Sequence, residues 1–188
     1  MAGVSERVLA AADQLFYDRG IQAVGVNELA KTANVTKAAM YARFATKDDI
    51  VVAYLRGRID AAMGLWRDAL AGAGPEPGER IDAIFAGLKM VVESSGYRGC
   101  PFANAISEFG DPTHKVWEPV REYRDWLRSG LFGPIVRDAG IDDEARVVEQ
   151  LHLLYDAALH SAVVERSPVP VERARDLAHR AMNHLVRA

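Results

Sequence analysis

The stretch "TANVTKAAMYARFATKDD", Thr32 to Asp49, carries three cationic side chains and no carboxylate before its last two residues. Asn34 is one of the few non-glycine residues that tolerates the left-handed conformation ending a helix. Thr36 is a good N-cap for a following helix, and Thr46 with Asp49 three residues on is a capping-box signature for another. These signals predict a short helix from about Gly25 to Ala33, a tight turn at Asn34, a short helix from Thr36 to about Phe44, and a longer helix from Thr46. Two short helices joined by such a turn describe a helix-turn-helix, whose second helix enters a DNA major groove.

The face of that second helix supports this reading. At 100° per residue, Met40 and Phe44 share one side, Ala38 and Ala42 lie opposite, and Ala39 and Tyr41 stand beside them. Bulky apolar groups thus anchor the helix inward, while alanines let its backbone approach base edges and meet thymine methyl groups. The whole chain has a net charge of -3, and through residue 50 six Lys/Arg balance six Asp/Glu. Between Leu29 and Lys47, however, Lys31, Lys37, Arg43 and Lys47 stand without an acid. Lys37, Arg43 and Lys47 can each displace counterions from phosphate, whereas a carboxylate there would repel it.

Outward from this stretch the chain reads as all-α, with about nine helices. Ser5 can cap a first helix carrying Val8, Leu9, Ala12, Leu15 and Phe16, with Gly20 as its stop. The fourth helix carries Ile50, Val51, Tyr54, Leu55, Ile59, Met63, Trp66 and Leu70 at helical spacing and ends in "AGAGPEPGE", residues 71–79. Further helices are predicted from Arg80 to about Ser94, Pro101 to Phe109, and Thr113 to Asp138, the last with a kink or late start at Pro119. Two more, Asp142 to Arg166 and Pro168 to Ala188, complete the chain. The 188 residues are 49% hydrophobic and 26% charged, a globular composition. No apolar run reaches the roughly 20 residues of a membrane span, and the N-terminus lacks a secretory pattern, so a cytoplasmic location is expected. The single cysteine, Cys100, excludes an internal disulfide.

From Arg7 to about Leu55 the chain resembles the N-terminal domain of the tetracycline-repressor (TetR) family. The resemblance lies in "ELAKTANVTKAAMYARFATKDDIV", through Leu29-Ala30, Ala33, Val35-Thr36, Met40-Tyr41, Phe44 and Lys47 followed by acids. Beyond it, "GCPFANAISEFGDP" is more loosely similar to stretches in some members. The resemblance implies a helix-turn-helix DNA-binding domain over residues 1–47 and a helical ligand-binding and dimerisation domain over 48–188. It implies phosphate contacts from Thr36, Tyr41 and Lys47, and contacts to bases or groove edges from Asn27, Lys37, Ala39 and Arg43. The chain departs from the family at Gly25, where a threonine is usual, at Asn34, where glycine is usual, and at Ala38, often glycine. The first departure removes a hydroxyl suited to a phosphate.

The resemblance also implies a small-molecule pocket among the middle helices, for an apolar or aromatic effector. Met63, Trp66, Phe85, Phe102, Trp117 and Tyr123 are the candidate lining residues, and Asn104 and Glu108 the polar ones. It further implies that the last two helices pair with those of a second copy in a homodimer reading a palindromic double-stranded operator. Val147, Val148, Leu151, Leu154, Ala158, Val171, Ala174, Leu177, Ala178, Ala181 and Leu185 offer the apolar surface, with an intramolecular core as the competing reading.

Other motifs carry less. Glu149 and His152 have the E-x-x-H spacing of di-iron bundles, but no second such motif exists, and no metal or cofactor is expected. Asp156 and His160, one turn apart, suit a local hydrogen bond. Cys100, at a helix start, is either a sensor of oxidants or electrophiles or a small core residue. The residues thus point to DNA binding, and the resemblance implies a transcriptional regulator, a repressor relieved by its effector, and not an enzyme. A small helical enzyme or metal-bundle protein, or a ligand-binding adaptor without DNA binding, are the alternatives.

Overall fold

Helix ends follow the local capping signals. In the computed structural model, which describes residues 2–183, α1 (Val4–Arg19) stops at Gly20, whose φ of 92° suits glycine. Its cap is Gly3 rather than Ser5, because the Glu6 carboxylate accepts the Gly3 N–H at 2.8 Å and satisfies a free amide there. Next come α2 (Val26–Thr32), α3 (Lys37–Tyr41) and α4 (Lys47–Ala71). The capping box that opens α4 forms as expected: Thr46 N–H donates to Asp49 Oδ2 at 2.8 Å, and Asp49 N–H to Thr46 Oγ1 at 3.2 Å. α3 ends before Phe44, since both Arg43 N–H and Phe44 N–H converge on the Met40 carbonyl and tighten the last turn.

The remaining elements are α5 (Pro77–Ser94), α6 (Pro101–Glu108), α7 (Trp117–Trp126), a π-helical turn (Leu127–Phe132), α8 (Gly133–Asp138), α9 (Glu144–Glu165) and α10 (Val169–Asn183). α5 begins ahead of the expected Arg80 because Pro77 opens its first turn and Glu79 accepts the Glu76 N–H at 3.1 Å. Pro119 falls in the first turn of α7, where its missing N–H costs nothing. Gly130 lies in the π turn inside the expected Thr113–Asp138 helix, and a Cβ there would stand 2.6 Å from the Trp126 ring, so a larger residue would require that ring to shift. With Trp117–Asp138 taken as one helical run, the described residues hold nine helices and no strand. Leu185 lies outside them.

The chain divides into two compact units, Met1–Asp60 with Pro101–Arg121, and Ala61–Cys100 with Glu122–Ala188. This differs from the expected boundary between residues 47 and 48, for a physical reason. The first half of α4 buries Ile50, Val51, Tyr54 and Leu55, and Tyr54 meets Phe16 of α1 edge-on at 5.6 Å. The 101–121 segment adds polar ties: Lys115 to Asp49 at 2.6 Å, His114 to Asp48 at 3.2 Å, and Arg56 to Glu118 at 3.0 Å. Three short helices alone bury too little apolar surface to stand apart.

In the second unit α9 pairs with α10, α5 packs on α10, and the π turn and α8 pack on α9. Trp66, Phe85 and Phe132 are fully buried there, each stabilising the fold by about 1.5–3 kcal/mol. Gly87 on α5 makes room for Trp66, since a Cβ would lie 2.7 Å from the indole. No helix of the described residues is long and apolar enough to cross a membrane.

Candidate functional site

The turn between α2 and α3 is fixed by backbone bonds before any side chain acts. Asn34 has φ 51°, its N–H donates to the Lys31 carbonyl at 3.1 Å, and Val35 N–H donates to the Ala30 carbonyl at 3.0 Å. These paired bonds are the left-handed stop that the sequence predicts, and they satisfy carbonyls α2 would otherwise leave open. Thr36 Oγ1 then accepts the Ala39 N–H at 3.1 Å and starts α3.

Met40 is wholly buried and holds α3 against α1 and α2. Lys37, Ala38, Tyr41, Ala42 and Arg43 are exposed, Ala39 and Phe44 half-buried, and Thr36 and, on α2, Asn27 also exposed. The surface so presented is small-residued, cationic and free of acids. Asp48 and Asp49, which follow it in the chain, are turned to His114 and Lys115. The hydrogen bond from Lys115, with that from Thr46, holds the Asp49 carboxyl below the usual carboxylate range.

Lys47 is tied to the turn between α1 and α2. Its ammonium is half-buried and donates to the Ile21 carbonyl at 2.7 Å, with the Phe16 ring 6.0 Å away. Burial lowers its pKa, against the raising influence of Asp48 and Glu108.

The eight candidate ligand residues are divided between the two units. Trp66, Phe85 and Tyr123 are buried in the second unit, and Met63 is half-buried on α4. Phe102, Asn104, Glu108 and Trp117 belong to the first. Trp117 donates to the Phe109 carbonyl at 2.9 Å. Glu108 has both oxygens occupied, accepting Ile21 N–H at 2.9 Å and Gln22 N–H at 2.7 Å, which removes it as a polar group waiting for a ligand.

Sequence reasoning missed Tyr155. Its hydroxyl lies 3.2 Å from that of Tyr123, both buried, and its ring meets Trp66 and Phe132 edge-on. Burial raises the pKa of both phenols, so they stay neutral. The Trp66 indole N–H is buried beside them and acts on the Tyr123 hydroxyl as a hydrogen-bonding neighbour. The helical spacing of Leu151, Tyr155 and Ala158 marked this face of α9 as inward, which was the available signal. Cys100 is half-buried.

The E-x-x-H pair is drawn into ion pairs. Arg128 reaches Glu149 at 2.8 Å, and its hydrogen bond holds the Glu149 carboxyl low. Arg124 reaches Asp156 at 2.7 Å, so Arg124, and not His160, is the partner of Asp156. His152 sits fully buried between the pairs, with Asp156 at 3.6 Å and Glu149 at 4.0 Å.

Of the apolar residues on α9 and α10, Val147, Leu151, Ala158, Val171, Ala174 and Ala178 are buried within the chain. Leu153 and Leu177 remain 55% and 46% exposed, large for side chains with no polar atom. With Leu154 and Ala181 they line a surface groove bordered by Arg146, Gln150 and Arg180.

Comparison with known proteins agrees with this geometry. The family model of the bacterial regulatory proteins, tetR family, matches residues 8–54. The transcriptional activator FasR of Mycolicibacterium smegmatis is 28% identical over 138 residues, 72% of this chain and 60% of the relative. The transcriptional repressor KstR2 of Mycobacterium tuberculosis is 31% identical over 86 residues, 46% and 42% of the two chains. The matched stretch therefore spans about three fifths of FasR, and less of KstR2. The crystal structure of SCO4454, a TetR-family transcriptional regulator from Streptomyces coelicolor, superposes with a TM-score of 0.87 at 27% identity, covering 97% of this chain and 95% of that one. With its left-handed stop at Asn34 and a helix α3 anchored by Met40, the chain carries over residues 8–54 the N-terminal domain of the TetR family of bacterial regulatory proteins, and its fold is that of a TetR-family regulator.

Proposed function

We propose that the protein is a homodimeric transcriptional regulator that reads a palindromic operator with α3 of each subunit. The observation that carries this reading is the exposed, acid-free face of α3: Lys37, Ala38, Tyr41 and Arg43 stand outward while Met40 holds the helix from beneath. Cations there release phosphate counterions, and alanines permit close approach to the groove. Thr36 and Tyr41 serve as phosphate contacts, and Asn27, Lys37, Ala39 and Arg43 as contacts to bases or groove edges. Lys47 is withdrawn from that set by its bond to Ile21.

The exposed leucines of α9 and α10 support pairing with a second copy, which would cover Leu153 and Leu177. The effector is an apolar or aromatic molecule taken into the second unit. The buried aromatic cluster of Trp66, Phe132 and Tyr155 supports that class. Repression is the simplest output, since occupancy of the groove alone excludes other proteins.

The test is selection of duplexes from a random pool by the purified protein, followed by binding at several salt concentrations. A selected palindrome with a steep salt dependence supports the reading. Retention of no sequence over random DNA would leave a ligand-binding protein without operator.

A further inference from the structure

One peptide of the first unit is held at both ends by opposite charges. The N–H of Ile21 donates to Glu108 Oε1 at 2.9 Å, and the neighbouring Gln22 N–H to Glu108 Oε2 at 2.7 Å. The carbonyl of the same Ile21 accepts from Lys47 Nζ at 2.7 Å. Glu108 is the last residue of α6 and Lys47 the first of α4, and the turn they grip joins α1 to α2. The fit continues at Gly20, with φ 92°, where a Cβ would stand 3.3 Å from Glu108 Oε1. The Ile21 side chain is itself buried.

We propose that Glu108 and Lys47 form a clamp on the Ile21–Gln22 turn that positions the helix-turn-helix for its operator, Glu108 acting as a positioning residue. This rests on the DNA-binding reading above. α2 starts four residues beyond Gln22, and α3 follows through the fixed Asn34 turn, so the direction in which the turn leaves α1 sets where α3 lies. A carboxylate is suited to the task because each oxygen accepts one of two adjacent amides. Glutamine offers one acceptor and would present an NH2 to the other N–H. Charge-assisted bonds are stronger than neutral ones, and the carboxylate and ammonium balance each other across the neutral peptide. A clamp and a phosphate contact predict different outcomes when Lys47 is lost. A phosphate contact serves every DNA sequence alike, whereas a clamp serves the fit to one.

The experiment uses Glu108→Gln and Lys47→Met in the full chain, with a duplex selected by the wild-type protein, a random-sequence duplex of equal length, and backbone amide exchange. Binding is measured well below each melting temperature. Glu108→Gln should raise exchange at Ile21 and Gln22 about tenfold or more. It should lower the selected-to-random affinity ratio about tenfold, leaving random-duplex affinity within about twofold. Lys47→Met should lower the same ratio without changing the salt slope, and Lys47→Arg should restore it. Wild-type exchange and ratio in Glu108→Gln overturn the proposal. So does a Lys47→Met that weakens both duplexes alike and reduces the slope by about one per contact. Should Glu108→Gln fail to fold, Glu108→Asp, one methylene too short to span both amides, gives the same two readouts. If the wild type selects no duplex, the DNA-binding reading falls and the positioning role with it, while exchange at Ile21 and Gln22 still reports separately whether the clamp exists.

Discussion

Arg7 on α1 donates from Nη1 to the main-chain carbonyl of Asn34 at 2.9 Å, so the residue that turns the chain left-handed is also the one that α1 grips. The turn is therefore held from within by α2 carbonyls and from outside by a cation. Its exposed side chain contributes little to this arrangement, and its backbone angle contributes much.

That distinction is measurable. Asn34→Gly keeps the left-handed angle and should change unfolding free energy by less than about 1 kcal/mol, relief of strain offsetting added chain entropy. Asn34→Val, β-branched and without a local hydrogen bond, should cost about 1–2 kcal/mol. Urea unfolding of the two variants decides, and equal stability would show that the conformation at Asn34 carries no strain.

The local signals explain which parts of the molecule were legible in sequence. The Asn34 stop, the Thr36 cap and the Thr46–Asp49 box act within a few residues, and each formed as read. The burial of Met40 beneath an exposed alanine face follows from helical periodicity alone. Glu108 was unreadable because its partners, Ile21 and Gln22, lie more than eighty residues away and are backbone amides, which have no identity in a sequence. The Lys47 bond was unreadable for the opposite reason. A cation next to a basic helix looks free until the carbonyl it meets is known. The π turn carries the close approach of Gly130 to Trp126, a steric fact that helical periodicity does not express.

On the DNA face, Arg43 and Tyr41 should separate by what they contact. Arg43→Ala should relax preference at one position of each half-site and cost about 1–3 kcal/mol there. Tyr41→Phe removes only a hydroxyl, so it should weaken selected and random duplexes to the same extent. Binding titrations on single-position variants of the selected duplex distinguish them. Equal losses on every sequence for Arg43→Ala would make it a phosphate contact.

For assembly, neighbouring residues on α10 should behave oppositely. Leu177 is 46% exposed, so Leu177→Arg should leave the chain folded and abolish the dimer. Ala178 is wholly buried within the chain, so Ala178→Arg should unfold it by forcing an unpaired charge into the α9–α10 contact. Sedimentation with circular dichroism reads both, and a Leu177→Arg protein that still sediments as a dimer would place the interface elsewhere.

His152 should give stability a pH dependence of its own. Its imidazole is fully enclosed, and burial lowers its pKa below the ordinary 6.5. Asp156 and Glu149 on α9 pull it up, while Arg124 on α7 and Arg128 on the π turn push it down. In the unfolded chain the ring takes up a proton near its ordinary value, and in the folded chain only at lower pH. Between those two values the unfolded state binds more protons, so stability rises with pH across that window. The contribution is whole above about pH 6.5, declines as the pH falls, and levels off below the folded-state value. Glu149, whose carboxyl is held low by Arg128, loses its own contribution only in more acidic solution, through the carboxylate range. His152→Leu conserves most of the volume and removes both unpartnered nitrogens, so at neutral pH it should cost less than about 1.5 kcal/mol. Its unfolding free energy should also be flatter than the wild type's from neutral pH down into the histidine range. Urea midpoints for both proteins across that span read the difference directly, and parallel curves would mean that His152 titrates alike in the folded and unfolded chains.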